Sequence, residues 1–157
     1  MTPEDVLAQI EAARDLYHRL VLLVGPAGTG KTGLLVRLAE RHHFSCINVN
    51  LELSRHMLDL TGKQRALRTG TLLGELLAGF VGPVLLDNTE VLFDRSLQQD
   101  PLRLLKELSR NRTLVATWNG TLNGEGLTYA EPGHPEYRRY PRSDLDFLGM
   151  PVEGAEP

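Results

Sequence analysis

The glycine-rich segment at residues 25–32 (GPAGTGKT) constrains the fold of this chain more than any other part of the sequence. It follows an apolar run at 20–24 and precedes apolar residues that recur at helical spacing from Leu34 to Ala39. This order of strand, glycine loop and helix is the setting in which a phosphate-binding P-loop occurs. The segment therefore predicts an α/β fold that binds a phosphate chain.

The residue types of the loop indicate how it would hold that chain. Glycines let backbone N–H groups turn inward around the phosphates, and the helix that begins near Lys31 adds its own N–H groups and positive dipole end. Lys31 is expected to contact the outer phosphates, and Thr32 to place its hydroxyl on a magnesium ion. The predicted cofactor-binding residues are Gly25, Pro26, Ala27, Gly28, Thr29, Gly30, Lys31, Thr32 and Gly33.

A second chemical landmark is the aliphatic segment 83–86, which ends in Asp87. Packing does not explain an acid at the end of a buried strand. In P-loop proteins an aspartate here binds a water of the magnesium shell and accepts a hydrogen bond from the loop hydroxyl. We therefore predict Thr32 and Asp87 as the metal site, with Lys31 and Asp87 among the catalytic residues.

The residue that activates the attacking water is not settled by the sequence. Asn88 stands where many ATPases of this type have a glutamate, and an amide can orient water but cannot accept its proton. Glu90 and Glu52 are the candidates to replace that glutamate. Glu52 is considered because it follows a predicted strand at 44–51, and ligands bind at the carboxyl ends of parallel strands. Slow hydrolysis is the remaining alternative.

Two later segments supply further polar candidates. The predicted strand at 113–119 ends in polar residues, of which Thr117 or Asn119 would sense the terminal phosphate, unless they only form a turn before Gly120. The densest basic cluster contains Arg138, Arg139 and Arg142. These arginines are either solvated or include one that reaches a neighbouring subunit's phosphate as an arginine finger.

The predicted architecture is a three-layer α/β/α sandwich around a mainly parallel sheet of four or five strands. It corresponds to the additional-strand, AAA-like type of P-loop NTPase core, without a helical lid domain. We expect one domain at 1–150 and a flexible tail at 151–157. The strand that ends at Asp87 is expected to lie directly beside the P-loop strand.

Periodicity also predicts the helices. One is expected from about Pro3 to Arg19, and others at 54–60 and 61–80, with a weak point at 69–71 where Gly70 lies between two threonines. The prolines after residue 121 exclude a long helix there.

Composition narrows the class of protein. The chain has 157 residues, a formal net charge of −3 and one cysteine. This excludes an internal disulfide and a basic nucleic-acid footprint over the whole molecule, although DNA contact through a local basic patch stays open. The sequence lacks the pattern of a signal peptide or a membrane span, so a soluble, cytoplasmic protein without membrane contact is expected.

Several segments together resemble a known family. The P-loop, 85–93 (LLDNTEVLF), 109–113 (SRNRT), 116–120 (ATWNG) and 133–137 (GHPEY) are similar to those of BrxF, the small P-loop protein of type 3 BREX bacteriophage-exclusion systems. The resemblance covers most of the chain. It implies a bacterial antiviral component that uses ATP and acts beside a larger ATPase, a methyltransferase and a phosphatase-like partner.

Three functions are compatible with these patterns. The first is a Mg²⁺-dependent ATPase that forms a homo-oligomer and powers or switches a defence complex. The second is a nucleotide-dependent scaffold without catalysis, which Asn88 favours. The third is a small-molecule kinase, although no arginine-rich lid segment or acceptor motif is present. A GTPase is disfavoured because Glu90 replaces the glycine expected three residues after Asp87 and no Asn-Lys-x-Asp motif occurs.

Overall fold

Five α-helices and seven strands make up residues 1–153, the part of the chain that the computed structural model describes. The helices are α1 (Pro3–Ala13), α2 (Lys31–His42), α3 (Val49–Met57), α4 (Gly62–Ala78) and α5 (Pro101–Leu108). The strands are β1 (Leu20–Gly25), β2 (Ser45–Asn48), β3 (Val84–Asp87), β4 (Leu114–Asn123), β5 (Gly126–Tyr129), β6 (Arg138–Pro141) and β7 (Leu148–Pro151).

Five of the described strands form a parallel sheet in the order β2-β3-β4-β1-β7. This confirms the predicted α/β class and the number of parallel strands. The expected neighbour of the P-loop strand was wrong, because β4 lies between β1 and β3. The register pairs Leu22 of β1 with Ala116 of β4, and Ala116 with Leu86 of β3. Asp87 and the P-loop therefore lie two strands apart.

Helices cover both faces of this sheet, as predicted. Along β1 the side chains alternate, so that Leu22 faces one core and Leu23 the other. One core contains α1 and α2, and the other contains α3, α4 and α5. Because both faces are buried, β1 and β3 read as unbroken aliphatic runs.

Strand β4 continues beyond the parallel sheet and pairs with β5, which pairs with β6, both antiparallel. The sequence predicted a strand that stopped at residue 119, yet β4 extends to Asn123. Trp118, Phe93, Tyr129 and Tyr140 pack together at this junction, with the rings of Phe93 and Tyr129 stacked 3.4 Å apart. Aromatic packing therefore fixes the antiparallel extension against the main sheet.

Several element boundaries differ from the prediction. Helix α1 ends at Ala13 instead of Arg19, whose backbone N–H bonds to Ser109 in the connection before β4. Strand β2 ends at Asn48 instead of residue 51, because the Asn48 side chain accepts a hydrogen bond from Leu51 N and caps α3. Helix α4 passes through Gly70 without a break.

The first residues of the predicted tail belong to the sheet. Strand β7 pairs with β1 through Pro151, and Val152 N donates to Val24 O at 2.7 Å with Val152 buried. The sheet thus extends past the predicted boundary at residue 150, because β7 covers the outer edge of β1. The rest of the predicted tail, residues 154–157, lies outside the described residues.

Within residues 1–153, no helix has the length and apolar character needed to cross a membrane. Over the same range, the only helical segment after α5 is a three-residue 3₁₀ turn at Arg142–Asp144. A helical lid is therefore not part of the described structure.

Candidate functional site

The P-loop connects the end of β1 at Gly25 to the start of α2 at Lys31. Gly28 and Gly30 have φ values of 83° and 89°, a conformation that residues with a Cβ rarely adopt. Gly30 is the N-cap of α2 and provides no side-chain cap, so the first N–H groups of that helix remain directed at the loop. This arrangement suits an anion at the N-terminus of α2.

Gly25 is required for a different reason. A Cβ at this position would lie 2.5 Å from Val152 O, closer than real Cβ contacts permit. The backbone that follows β7 therefore packs directly against the first residue of the loop. No local pattern indicates this contact, because residue 152 lies 127 positions later in the chain.

The side chain of Lys31 folds back over the loop. Its ammonium Nζ donates to the carbonyl oxygens of Gly25 and Pro26, both at 2.7 Å, and the residue is 5% exposed. Burial lowers the pKa of Lys31, while the nearby carboxylates of Glu90 and Asp87 oppose that shift. The ammonium is thus positioned at the loop but bonded to the loop's own backbone.

A cavity of about 370 Å³ brings the predicted residues together. Its wall is made by the loop, by residues at the end of β3 and by residues on β4. The lining residues are Ala27, Gly28, Gly30, Lys31, Thr32, Asp87, Asn88, Glu90, Thr117 and Asn119. The carboxyl ends of three parallel strands thus meet the P-loop at one place, as the rule for open parallel sheets requires.

Asp87 is held in place by β4. Its Oδ1 accepts hydrogen bonds from Thr117 Oγ1 at 3.1 Å and from Asn88 N at 2.9 Å. Its second carboxylate oxygen has no hydrogen-bond partner among the described residues and remains available to a ligand. Of the two candidate sensors on β4, Thr117 therefore supports the acid.

Asn119, the other candidate sensor, binds Glu90. Its Nδ2 donates to Glu90 Oε1 at 2.7 Å. Glu90 lies in the 3₁₀ turn Thr89–Phe93, which is fixed by a 2.5 Å hydrogen bond from Thr89 Oγ1 to Thr117 O and by burial of Phe93. The carboxylate of Glu90 is therefore positioned by β4 at the wall of the cavity.

Asn88 has a structural role that the sequence did not reveal. Its φ is 53°, in the left-handed region that asparagine tolerates better than most residues. This turn directs the chain from the end of β3 into the 3₁₀ segment that carries Glu90. Asn88 therefore forms the turn that brings the carboxylate of Glu90, two residues later, to the cavity.

The donor set fits a magnesium ion. Thr32 and Asp87 line the same cavity and offer a hydroxyl and a carboxylate oxygen, and hard oxygen ligands suit Mg²⁺. Residues 1–153 contain no cluster of three or more acidic, histidine or cysteine side chains that could hold a metal on its own. A Mg²⁺ ion at this site would therefore take its other ligands from water and phosphate oxygens, as this ion usually does.

The other predicted catalytic residues do not line this cavity. Glu52 lies in the first turn of α3, where it pairs with Arg55 at 3.3 Å. Arg138 donates to Gln99 O, Arg139 approaches Glu125 at 3.8 Å and Arg142 donates to Asn123 O. Within the described residues of one chain, these arginines therefore contact the loop before α5 and the turn between β4 and β5.

A larger cavity of about 960 Å³ adjoins the P-loop at Thr29 and Gly30. Its other walls come from the N-terminal part of α1 and from the end of β7. The lining residues outside the loop are Met1, Asp5, Ala8, Gln9, Leu34, Arg37, Met150, Pro151, Val152 and Glu153. This cavity was not predicted from the sequence, because strand β7, which forms one of its walls, was not predicted.

Comparisons with known proteins agree on the fold. No protein-family model matches the chain, and no curated protein does. Among solved structures, Caenorhabditis elegans PCH-2 matches with a TM-score of 0.51 and 19% identity, over 98% of this chain and 42% of that one. DnaA from Aquifex aeolicus, bound to AMPPCP, matches with a TM-score of 0.51 and 16% identity, over 96% and 44%. A DNA replication initiation factor matches with a TM-score of 0.51 and 14% identity, over the same shares.

These likenesses show the fold alone, an α/β sandwich of the kind found in AAA-like P-loop NTPases. The chain spans less than half the length of the solved structures it matches.

Proposed function

We propose that this protein is a Mg²⁺-dependent ATPase that self-assembles and powers or switches a bacterial phage-defence complex of the BREX type. The observation that carries the ATPase assignment is the single cavity at which the P-loop, Asp87, Glu90 and Asn119 meet. The defence role and its partners, including a larger ATPase, are supported by the sequence resemblance.

The geometry supports a nucleoside triphosphate rather than a simple phosphate. The phosphates would lie on the N–H groups of the loop and on Lys31, which exchanges its bonds to two loop carbonyls for phosphate oxygens. The adjoining 960 Å³ cavity can hold the nucleoside, since small-molecule sites are typically about 300–1,000 Å³. The DnaA structure with an ATP analogue supports ATP as the ligand.

Glu90 is proposed as the base. The attacking water forms a bond to the γ-phosphorus while the bond to the bridging oxygen breaks, so that ADP and inorganic phosphate leave and Glu90 accepts the water's proton. Asn119 orients the carboxylate through its 2.7 Å hydrogen bond. A magnesium ion held by Thr32 and Asp87 would neutralise charge on the β- and γ-phosphates.

Self-assembly would complete the site. Among residues 1–153 of one chain, no arginine lines the 370 Å³ cavity. Of the basic cluster, Arg139 is the least engaged, since its only ion pair among the described residues is the 3.8 Å contact with exposed Glu125. We propose that an arginine of this cluster, Arg138, Arg139 or Arg142, acts on the phosphates of a neighbouring subunit.

The deciding experiment measures ATP turnover per chain over a range of protein concentrations with Mg²⁺ present. Lys31→Ala removes the phosphate contact, and Lys63→Ala, at an exposed position in α4, is the matched control. We expect a specific rate that rises with concentration in the wild type and the control, and no turnover in Lys31→Ala. Turnover that survives Lys31→Ala would refute the assignment.

The alternative is a scaffold that binds ATP without hydrolysis, which the amide at Asn88 favours. It predicts that ATP changes the oligomeric state while no phosphate is released. Sedimentation with ATP, measured beside phosphate release, separates the two functions. Steady phosphate release that depends on Lys31 excludes the scaffold.

A further inference from the structure

Within residues 1–153, Arg37 is the one basic side chain that lines the 960 Å³ cavity beside the P-loop. It stands on α2, six positions after Lys31, and it does not line the 370 Å³ cavity that contains Asp87 and Glu90. Arg37 therefore borders the space proposed for the nucleoside and not the space proposed for the γ-phosphate.

The side chain of Arg37 extends back along α2 toward the loop. Its Nη1 lies 3.5 Å from the position that a Cβ on Gly33 would occupy, and Gly33 directly follows Thr32. This direction is the usual one, because side chains on an α-helix point toward its N-terminus. The guanidinium is thus about one helical turn closer to the loop than the Arg37 backbone is.

Arg37 is exposed and has no partner in the described part of the chain, where no hydrogen bond or ion pair includes its side chain. Arg41, one turn later on the same helix, pairs with Glu4 instead. Lys31 must give up its bonds to two loop carbonyls before it can contact a ligand. Arg37 has no such contact to lose, so its charge and its planar group are available to a bound molecule.

The other walls of the cavity narrow the part of a ligand that Arg37 would contact. Asp5 is engaged with Thr2 in the capping box of α1, and Thr29 Oγ1 donates to Pro26 O at 2.9 Å. None of the lining side chains among the described residues is aromatic. Much of the remaining wall is apolar and comes from Ala8, Leu34, Met150 and Pro151. The planar cationic group that this cavity offers to a flat ring is therefore the guanidinium of Arg37.

We propose that Arg37 binds the base of the nucleotide by stacking its guanidinium plane on the ring. Arginine stacks on aromatic faces, and a cation is attracted to the electron-rich face of such a ring. Every nucleobase has such a face, so this contact supplies affinity without distinguishing adenine from guanine. The inference rests on the proposed function, because it takes the P-loop as the site of the phosphates.

The test compares three ligands in the presence of Mg²⁺. They are the ATP analogue AMPPCP, the GTP analogue GMPPCP, and inorganic tripolyphosphate, which has three linked phosphates and no nucleoside. Dissociation constants are measured by calorimetry for the wild type, Arg37→Ala and Arg37→Lys. Arg41→Ala is the matched control, because Arg41 is an arginine of the same helix that does not line the cavity. The melting temperature of each ligand-free variant is recorded as well.

We expect Arg37→Ala to weaken AMPPCP and GMPPCP alike, by roughly three- to thirtyfold, the range of a cation–π contact. Tripolyphosphate should bind this variant as tightly as it binds the wild type. Arg37→Lys keeps the charge but lacks the planar group, so it should recover only part of the lost affinity. Arg41→Ala should bind all three ligands as the wild type does.

The ligands also separate the alternatives. Equal weakening of tripolyphosphate in Arg37→Ala would assign Arg37 to a phosphate and overturn the proposal, as would full recovery in Arg37→Lys or unchanged binding of AMPPCP. Ligand-free Arg37→Ala should melt at the wild-type temperature, because its side chain has no partner to lose. A lower melting temperature with equal losses for all three ligands would show a structural role and would also overturn it.

Failure of the proposed function would give a different result. Neither AMPPCP nor tripolyphosphate would then bind the wild type, and Lys31→Ala would change nothing. That result would overturn both proposals together. Binding of all three ligands that depends on Lys31, with no effect of Arg37→Ala, would overturn the stacking contact alone and leave the nucleotide site in place.

Discussion

Replacing Glu90 by glutamine tests which acid activates the water. The amide keeps an oxygen that can accept the Asn119 hydrogen bond, so the fold of the Thr89–Phe93 turn should be retained. It cannot accept a proton from water. Glu52→Gln is the matched control, because Glu52 lies on α3 outside the cavity and pairs with Arg55.

The magnitudes differ enough to be separated. General-base catalysis contributes about 10²–10⁴ in rate, which corresponds to about 3–5 kcal/mol at 1.36 kcal/mol per factor of ten. The stability change is smaller, because a charge-assisted hydrogen bond becomes a neutral one at a cost of about 1 kcal/mol. Glu90→Gln should therefore lower kcat by two orders of magnitude or more with a small change in Tm.

The assay is steady-state phosphate release at saturating ATP and Mg²⁺, with ATP affinity measured separately by a fluorescent analogue. We expect ATP to bind Glu90→Gln nearly as well as the wild type, with loss confined to kcat. Glu52→Gln should be indistinguishable from the wild type in both measurements. Turnover of Glu90→Gln at the wild-type rate would show that Glu90 is not the base, and a loss in Glu52→Gln alone would identify Glu52 as the base.

Three further predictions address the supports of the site. Thr117→Val removes the hydrogen bond to Asp87 Oδ1 and should lower the free energy of unfolding in urea by about 1 kcal/mol. It should also raise the Mg²⁺ concentration needed for turnover, and an unchanged Mg²⁺ dependence would contradict this prediction. Gly120→Ala places a Cβ against the backbone carbonyl of Thr128 and should destabilise by about 1–3 kcal/mol through displacement of β5, whereas Gly124→Ala, with open space around it, should not. Burial raises the pKa of Tyr129 from 10.0 to about 12, so the neutral phenol stabilises the fold fully below pH 10 and stability is lost as the pH rises from 10 to 12. Ultraviolet absorbance should show folded Tyr129 still protonated at pH 11, and Tyr129→Phe should remove its part of that decline.

Most residues that line the 370 Å³ cavity were predictable from the sequence because they follow local rules. Lys31 belongs to a motif with fixed spacing, and Asp87 and Asn119 each stand on a buried strand, so the edge where they meet could be predicted. The strand order was not predictable in the same way. That β4 separates β1 from β3 depends on which edges pair across long sequence separations, and no local pattern records it.

The boundaries that were wrong have tertiary causes. Leu16 and Tyr17 continue the helical spacing of α1, yet the backbone of Arg19 bonds to Ser109 and Leu114 and draws the chain into the sheet. The apolar residues after Asn48 favour a longer strand, yet the hydrogen bond that Asn48 accepts from Leu51 N begins α3 there instead. Strand β7 was not predicted because its glycine and proline have low strand propensity. Its hydrogen bonds to β1 stabilise the strand instead.

The length of β4 has a mechanical consequence. The strand passes the cavity at Thr117 and Asn119 and then continues to Asn123, where it pairs with β5. Phe93, the last residue of the turn that carries Glu90, stacks on Tyr129 of β5. The cavity wall and the antiparallel hairpin are therefore joined twice, by the backbone of β4 and by the Phe93–Tyr129 stack. We expect a displacement of the Glu90–Asn119 pair to move the hairpin with it. Any movement of Arg139 on nucleotide binding would then be a movement of the whole β4–β5–β6 extension, because β6 pairs with β5. It would not require a series of changes in individual side chains.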